Sequence, residues 1–221
     1  MGVITRTAAN NFTTSGVILP AAINNTTVAS IDSLSNVSTG GAMTLLNTTT
    51  ITSNTATVSF SSSLITSTYR TYLIKYINVH PETDTADLQF NGSTDNGSNY
   101  NVTKTTSAYY YFHNEADNST GVDKEPSHDV AQSTGFCQIP GDTVGADNDQ
   151  SVSGFGYIFS PLSTTFLKHF WFSGNCHTDS GYTVQETVAG YFNTTSAVNN
   201  VQIKFSTGNI GSGIFKFYGI A

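Results

Sequence analysis

The 221-residue sequence has few charged residues. Asp, Glu, Lys and Arg make up 10% of the chain, whereas roughly 25% is typical of soluble proteins. Eight basic residues against fifteen acidic ones give a net charge of −7, and the Lys and Arg residues do not cluster. The sequence therefore lacks the positive patch with which proteins neutralise phosphates, and we expect no nucleic-acid partner.

Long apolar runs are also missing. No run approaches the ~20 residues that a membrane-spanning helix needs. The first seven residues, Met-Gly-Val-Ile-Thr-Arg-Thr, lack the apolar core of a signal peptide, and Arg6 stands where the myristoylation pattern requires Ser or Thr. We expect no membrane insertion, and we expect the protein to stay in the cytoplasm of the producing cell until it is assembled.

Cysteine is scarce, because Cys137 and Cys176 are the only two. In a sequence without a secretion signal, two cysteines are more often free thiols than a disulfide. The sequence favours free thiols and leaves the pairing open.

Motifs of common enzymes are absent. There is no Gly-x-Ser-x-Gly elbow, no His-Glu-x-x-His pair and no P-loop, since the glycines at 208–213 precede a predicted strand rather than a helix. Carboxylates concentrated at 114–150, with His113 and His128 nearby, suggest a metal or acid–base site, but their spacing matches no known ligand set. We interpret this stretch as a solvated acidic loop, and predict neither an enzyme nor a cofactor.

The residues that are abundant indicate β-structure. Ser and Thr number 60 and Asn 20, beside 11 Tyr, 14 Phe and one Trp. Disordered chains lack aromatic residues, so this chain should fold. No stretch shows apolar residues at helical spacing, whereas short strand patterns recur about every 8–12 residues. The sequence predicts an all-β fold, an antiparallel β-sandwich of jelly-roll type, at a length that suits one large domain.

The clearest strand–turn–strand pattern lies at 68–91. Residues 69–79 carry apolar side chains on both faces, with Leu73 opposite Ile74, which is typical of a central strand covered on both sides. Pro81 should end that strand. Residues 86–91 predict a second strand beside it, with one apolar and one polar face formed respectively by Ala86, Leu88 and Phe90 and by Asp87, Gln89 and Asn91.

Several further strands are predicted downstream. A turn is expected at Asp95-Asn96-Gly97, because Asn and Gly tolerate positive φ. Apolar and aromatic patterns then predict short strands at 107–113, 135–139, 155–159, 166–173, 182–193 and 198–205. A glycine-rich hairpin turn should connect 198–205 to a last strand at 214–220.

Two of these stretches resemble a known family. The first is Tyr-x-x-Tyr-x-Ile-x-Tyr at 69–76 with Asn-Val-x-Pro-x-Thr-Asp at 78–84 and Ser-Thr-Asp-Asn-Gly-Ser-Asn-Tyr at 93–100. The second is the end of the chain, 199–220. Together they cover about a third of the chain and are similar to the β-sandwich modules of tailed-bacteriophage virion proteins. The resemblance implies a head decoration or cement subunit, or a tail or fibre component. It also implies a homotrimer that contacts other virion proteins, such as the major capsid or tail protein, and it brings no catalytic residue.

The N-terminal part carries almost no charge. Arg6 and Asp32 are the only charged residues before position 69, so this part should lie against protein rather than water. We predict an extended arm over the first 40 residues, with a disordered tail as the alternative. Residues 43–60 should form a hairpin turning at 52–55. The predicted domains are 1–60, the arm with its hairpin, and 61–221, the sandwich.

Aromatic residues supply the candidate site. Tyr109, Tyr111 and His113 should share one face of strand 107–113, and Trp171 belongs to strand 166–173, where His169 is expected to be a hydrogen-bonded core residue. Tyr109, Tyr111 and Trp171 are candidates for core or subunit contact, or for stacking on sugar rings. The sequence thus predicts a virion structural protein that acts through subunit contacts. The alternative is a module that binds host-surface glycan.

Overall fold

The computed structural model describes residues 42–221. This part of the chain folds into twelve strands and contains no helix, hence none long and apolar enough to cross a membrane. The strands are β1 (Met43–Ile51), β2 (Val58–Phe60), β3 (Thr71–Pro81), β4 (Leu88–Ser93), β5 (Lys104–Asn114), β6 (Thr120–Lys124), β7 (Cys137–Gln138), β8 (Val152–Phe159), β9 (Lys168–His177), β10 (Tyr182–Phe192), β11 (Asn200–Phe205) and β12 (Ile210–Ile220).

Two antiparallel sheets share these strands. The larger sheet has eight strands in the order β1-β12-β3-β8-β9-β10-β5-β6, and the smaller has four in the order β2-β11-β4-β7. Their inner faces pack on each other around one core. The predicted all-β sandwich is confirmed, with more strands than the eight of a simple jelly roll.

Strand alternation builds the core. On β10, the alternating residues Val184, Val188 and Phe192 are all buried, as their spacing predicts. Aromatic rings join the sheets: Phe217 of the larger sheet stacks on Phe60 of the smaller at 4.4 Å between ring centroids. Burying one such side chain contributes about 1.5–3 kcal/mol.

Strand β3 is an interior strand of the larger sheet and lies between β12 and β8. Ile74 is fully buried in the core, while Leu73 points to the opposite face and is still only 3% exposed. Ile77, however, is 36% exposed, so the outer side of β3 is only partly covered. A bulge with Asn78 at φ 48° shifts the register and brings Val79 into the core. Strict alternation would have put Val79 on the same face as Leu73.

Three predicted pairings are wrong for one reason. β1 pairs with β12 and β2 with β11, so 43–60 is not a hairpin. β4 pairs with β11 and β7 rather than with β3, and β11 does not pair with β12. In each case the chain crosses from one sheet to the other, so strands that follow each other in sequence face each other across the core. A turn signal marks where a strand ends, not which strand it pairs with.

The predicted arm, residues 1–40, lies outside the described residues. Residues 42–60 of the predicted N-terminal unit are described, and they supply β1 to the larger sheet and β2 to the smaller. The division of the chain at residue 60 stays a prediction.

Two local predictions are confirmed and one is wrong. Cys137 and Cys176 are free and buried, and Asn96 and Gly97 adopt positive φ in the predicted turn. Asn91, predicted to face outward, is fully buried, and its Nδ2 donates to the Tyr100 carbonyl at 2.7 Å. A side chain that satisfies backbone carbonyls this way can be polar and buried.

Candidate functional site

The outer face of the larger sheet, the side turned away from the smaller sheet, is rich in aromatic residues. Strand register places side chains of neighbouring strands in rows across this face. One row runs across seven strands from β1 to β5 through Leu45, Tyr218, Leu73, Tyr157, Trp171, Ala189 and Ser107. The face is therefore one continuous surface rather than a set of separate patches.

Large apolar side chains are exposed mainly on this face. Within residues 42–221, nine large hydrophobic side chains are exposed, and eight of them belong to strands of the larger sheet: Met43, Leu45, Ile77, Tyr109, Tyr111, Val122, Phe159 and Trp171. The outward side of the smaller sheet is polar by contrast, with Gln89 beside Lys204 and Gln202 bonded to Ser59. The apolar surface thus belongs to one sheet only.

Tyr109 and Tyr111 lie on the outer face of β5, as the alternation predicts. They are 46% and 47% exposed, and their rings meet edge to face at 5.9 Å. His113 follows on the same side, with its Nε2 3.1 Å from Asp117 Oδ1. Edge-to-face packing holds the two tyrosine rings in place while leaving them open to a partner.

Trp171 stands on β9, two strands away from β5. One face of its indole stacks on Tyr157, with an interplanar angle of 7° and 6.1 Å between centroids. On the other side the register neighbour is Ala189, which is too small to cover the ring. Trp171 is 38% exposed, and β10 separates it from Tyr109. The structure therefore places the three candidate residues on one face without bringing Trp171 into contact with the tyrosines.

A shallow groove of about 440 Å³ runs beside Trp171. Its lining contains no Asp, Glu, Lys or Arg, and consists of Thr105, Thr106, Ser107, Phe159, His169, Phe170, Trp171, Ala189, Gly190 and Tyr191. The prediction that His169 is a core residue is wrong, because Lys168 and Phe170 point inward and the alternation turns His169 to the exposed outer face. The aromatic residues around His169 in the sequence did not indicate which face of the sheet His169 lies on.

Charges are unevenly distributed over the described residues. Lys75 and Lys216 are register partners on the outer face, and the outward strand positions of this sheet carry no carboxylate. The loops at the end of the sandwich where β3 and β9 finish form an acidic end without Lys or Arg. Its nine carboxylates are Glu82, Asp84, Asp87, Glu115, Asp117, Asp142, Asp147, Asp149 and Asp179.

A buried charged cluster lies on the inner side of the larger sheet, where His128, from the connection between β6 and β7, meets Glu186 of β10. His128 is fully buried and its Nδ1 contacts the carboxylate of Glu186, which is 1% exposed. Its Nε2 lies 3.6 Å from Asp142 Oδ1. Burial alone would lower the pKa of His128, but the two carboxylates outweigh it and raise the pKa to about 10. Burial also raises the pKa of Glu186, an effect that His128 partly offsets.

Tyr76 completes this cluster. Its ring crosses the sheet over Gly154 and Gly174, where an added Cβ would collide with the hydroxyl group. Burial, and then the charge of Glu186, raise the pKa of Tyr76 above its usual range. Glycine at these two positions therefore gives a tyrosine hydroxyl room in the core next to an ion pair.

The cluster corrects the interpretation of 114–150 as a solvated loop. His128 and Asp142 come from that stretch; His128 is buried against Glu186 of β10, and the partly exposed Asp142 lies on its other side. No group of three or more His, Cys, Asp or Glu side chains within residues 42–221 is arranged to hold a metal ion. The sequence contained one signal for the site: Glu186 occupies the same alternation as Val184 and Val188, where a carboxylate must be paired.

Comparisons with known proteins identify no family. No protein-family model matches the chain, and no curated protein matches it. Among solved structures, the chain has a weak similarity to a viral capsid protein, in the crystal structure of the infectious bursal disease virus VP2 subviral particle, at 11% identity and a TM-score of 0.15. The match covers 81% of this chain and 42% of that one, so the chain corresponds to less than half of the VP2 chain, and a score of this size establishes no common fold.

Proposed function

We propose that this chain is a structural subunit of a tailed-phage virion, a capsid decoration or cement protein or a tail-associated subunit. It acts by burying the outer face of its larger sheet against neighbouring subunits. The concentration of exposed apolar side chains on that one face carries the proposal. The assignment to a phage rests on the sequence resemblance at 69–100 and 199–220.

The composition of the face suits a protein contact. Soluble monomers rarely expose large contiguous apolar patches, and protein interfaces are enriched in Tyr, Trp and Phe while their centres lack charge. Here Tyr109, Tyr111, Phe159 and Trp171 are all at least 38% exposed on one sheet. Their solvation would cost free energy that contact with a neighbour recovers.

Another copy of the chain is the partner that the charges favour. Two outer faces packed on each other would bring Lys75 and Lys216 of one copy towards those of the next. Contact between different surfaces, with the acidic end of one copy near the lysines of its neighbour, pairs opposite charges instead. Such contacts form a ring when the rotation between neighbouring copies closes, and the homotrimer that the resemblance implies is a small ring of this kind.

The remaining partners follow from this role. The assembled subunit would contact the major capsid or tail protein, after synthesis in the host cytoplasm. The proposal requires neither catalysis nor a cofactor, and it involves no nucleic acid and no membrane.

Light scattering on charged variants tests the proposal. Wild-type protein should have the mass of a trimer at micromolar concentration. Tyr111→Lys should shift it towards the monomer, because the charge would be buried in the contact. Gln89→Lys is the matched control, since it adds the same charge to the polar side of the smaller sheet, and it should leave the mass unchanged. A monomeric wild-type protein would overturn the proposal.

Binding of a host-surface glycan is the second candidate function. The open indole face of Trp171 and the uncharged groove beside it favour this candidate, because sugar rings stack on aromatic faces and offer hydroxyl groups to uncharged polar side chains. Labelled host cell-wall glycan should then bind the isolated protein. Ala189→Phe, which fills the groove next to Trp171, should abolish binding, and binding unaffected by this variant would exclude the groove.

A further inference from the structure

The two sheets have four edge strands, and they differ in how well they are protected. An edge strand exposes unpaired N–H and C=O groups, and proteins usually block it by shortness, charge or proline. The smaller sheet ends in β2 and β7, which have three and two residues. The larger sheet ends in β6, five residues that include Asp123 and Lys124, and in β1.

Strand β1 has little of this protection. It is nine residues long, Met-Thr-Leu-Leu-Asn-Thr-Thr-Thr-Ile, and contains neither charge nor proline. It pairs with β12 on one side, and no residue of 42–221 pairs with its other side. Met43 and Leu45 are 44% and 51% exposed along it. A bulge near Leu46 is the one irregularity that would discourage pairing.

We propose that the edge of β1 with which no residue of 42–221 pairs forms an antiparallel pair with β1 of a second copy of this chain. A two-fold axis between the copies would join their larger sheets into one continuous sheet through backbone hydrogen bonds. A two-fold contact places like residues near each other, and β1 tolerates this because it has no charge to repel its equivalent.

The outer face supports the same partner. Pairing about a two-fold axis perpendicular to the sheet would continue the outer face of one copy, with its row from Leu45 through Tyr218, into the outer face of the second copy. Leu45 and Met43, exposed at the edge of the face, would then be covered from the side.

This contact is distinct from the one proposed for the outer face, and it does not depend on it. The outer-face contact would close the trimer, whereas the β1 contact would link one trimer to the next. The two can be measured separately, because the trimer has a defined mass and the β1 contact a defined cross-link.

A photo-crosslinker at position 48 tests the inference directly. Thr48 is exposed on β1, and side chains of paired strands lie about 5 Å apart. Full-length isotope-labelled and unlabelled copies are mixed, irradiated and analysed by mass spectrometry. Cross-links should join residues 43–51 of a labelled copy to residues 43–51 of an unlabelled one. Cross-links to any other segment, or none between copies at millimolar concentration, would overturn the inference.

A matched pair of edge variants supplies the quantitative test. Leu45 and Val122 are both exposed apolar residues on edge strands of the larger sheet. Leu45→Lys should raise the protein concentration needed for half-maximal cross-linking by about tenfold, because a charged side chain on an edge strand discourages pairing. Val122→Lys should change it by less than about twofold. Equal effects of the two variants would mean that the β1 edge is not the contact. If the wild-type protein forms the cross-link but does not have the mass of a trimer, the result would count against the proposed function alone.

Discussion

Replacing His128 with Gln should make the protein less stable at neutral pH. It should also reduce the change in the free energy of unfolding as the pH rises into the alkaline range. The folded protein holds the pKa of His128 at about 10, against 6.5 for the free side chain. Because its pKa is higher in the folded state, protonated His128 contributes its full stabilisation below pH 6.5, and this contribution is lost as the pH rises through about 10. At ~1.4 kcal/mol per pH unit, the rise corresponds to roughly 5 kcal/mol at most.

The loss of the buried cation sets the size of the effect. Gln carries no charge, so Glu186 and Asp142 would remain without a positive partner. Removing one member of a buried ion pair costs about 3–5 kcal/mol. We therefore expect His128→Gln to lower the free energy of unfolding by about 3–5 kcal/mol near pH 6, and this deficit to shrink towards pH 10.

Urea melts of wild type and variant across that pH range measure the deficit. The difference between the two proteins at each pH matters, because other groups titrate in the same range; burial of Lys104, for example, lowers its pKa to about 8. His113→Gln is the control, since His113 is exposed and should cost less than ~0.5 kcal/mol. A deficit that stays constant from pH 6 to pH 10 would refute the argument that His128 is held as a cation.

Three further predictions concern folding and assembly. Ile74→Ala and Leu73→Ala should each cost ~2–5 kcal/mol in urea melts, and only the Leu73 variant, on the outer face, should alter the dependence on protein concentration. Deletion of residues 1–40 should leave the sandwich cooperatively folded while the protein fails to join the particle, so retained incorporation would exclude an attachment role. Hydrogen bonds from Ser93 and Asn99 lower the pKa of Asp95 to about 2. Urea melts of Asp95→Asn should therefore lack the part of the stability loss that Asp95 contributes as the pH falls from about 4 through 2, while Asp129, whose pKa Lys124 lowers, keeps its own part.

The sequence was informative about strands and poorly informative about pairing. Alternation predicted the inward set Ala86, Leu88 and Phe90, all fully buried. It could not predict that β4 lies in the other sheet from β3, because a crossing connection and a hairpin turn use the same Gly, Asn and Asp residues. The bulge at Asn78 could not be predicted from the alternation either. One extra residue changes the face of every residue after it, so the face of Val79 was predicted wrongly.

The candidate site could also be predicted only in part from the sequence. The alternation placed Tyr109 and Tyr111 on one face of a strand, but only the sheet order shows that this face also carries Trp171. The buried cluster was missed because His128 and Glu186 are 58 residues apart and meet only in the folded chain. A carboxylate at an inward position signals that some partner exists, and tertiary structure decides which residue it is.

The fluorescence of Trp171 tests the central claim most directly, because it is the single tryptophan of the sequence and lies on the outer face. Its emission and its quenching by acrylamide are followed as the full-length protein is diluted through the range in which light scattering shows it to dissociate. The proposed contact predicts blue-shifted, protected emission in the assembled state, and red-shifted, quenchable emission in the monomer. Assembly that leaves the emission and quenching of Trp171 unchanged would contradict the claim that the outer face of the larger sheet joins the subunits.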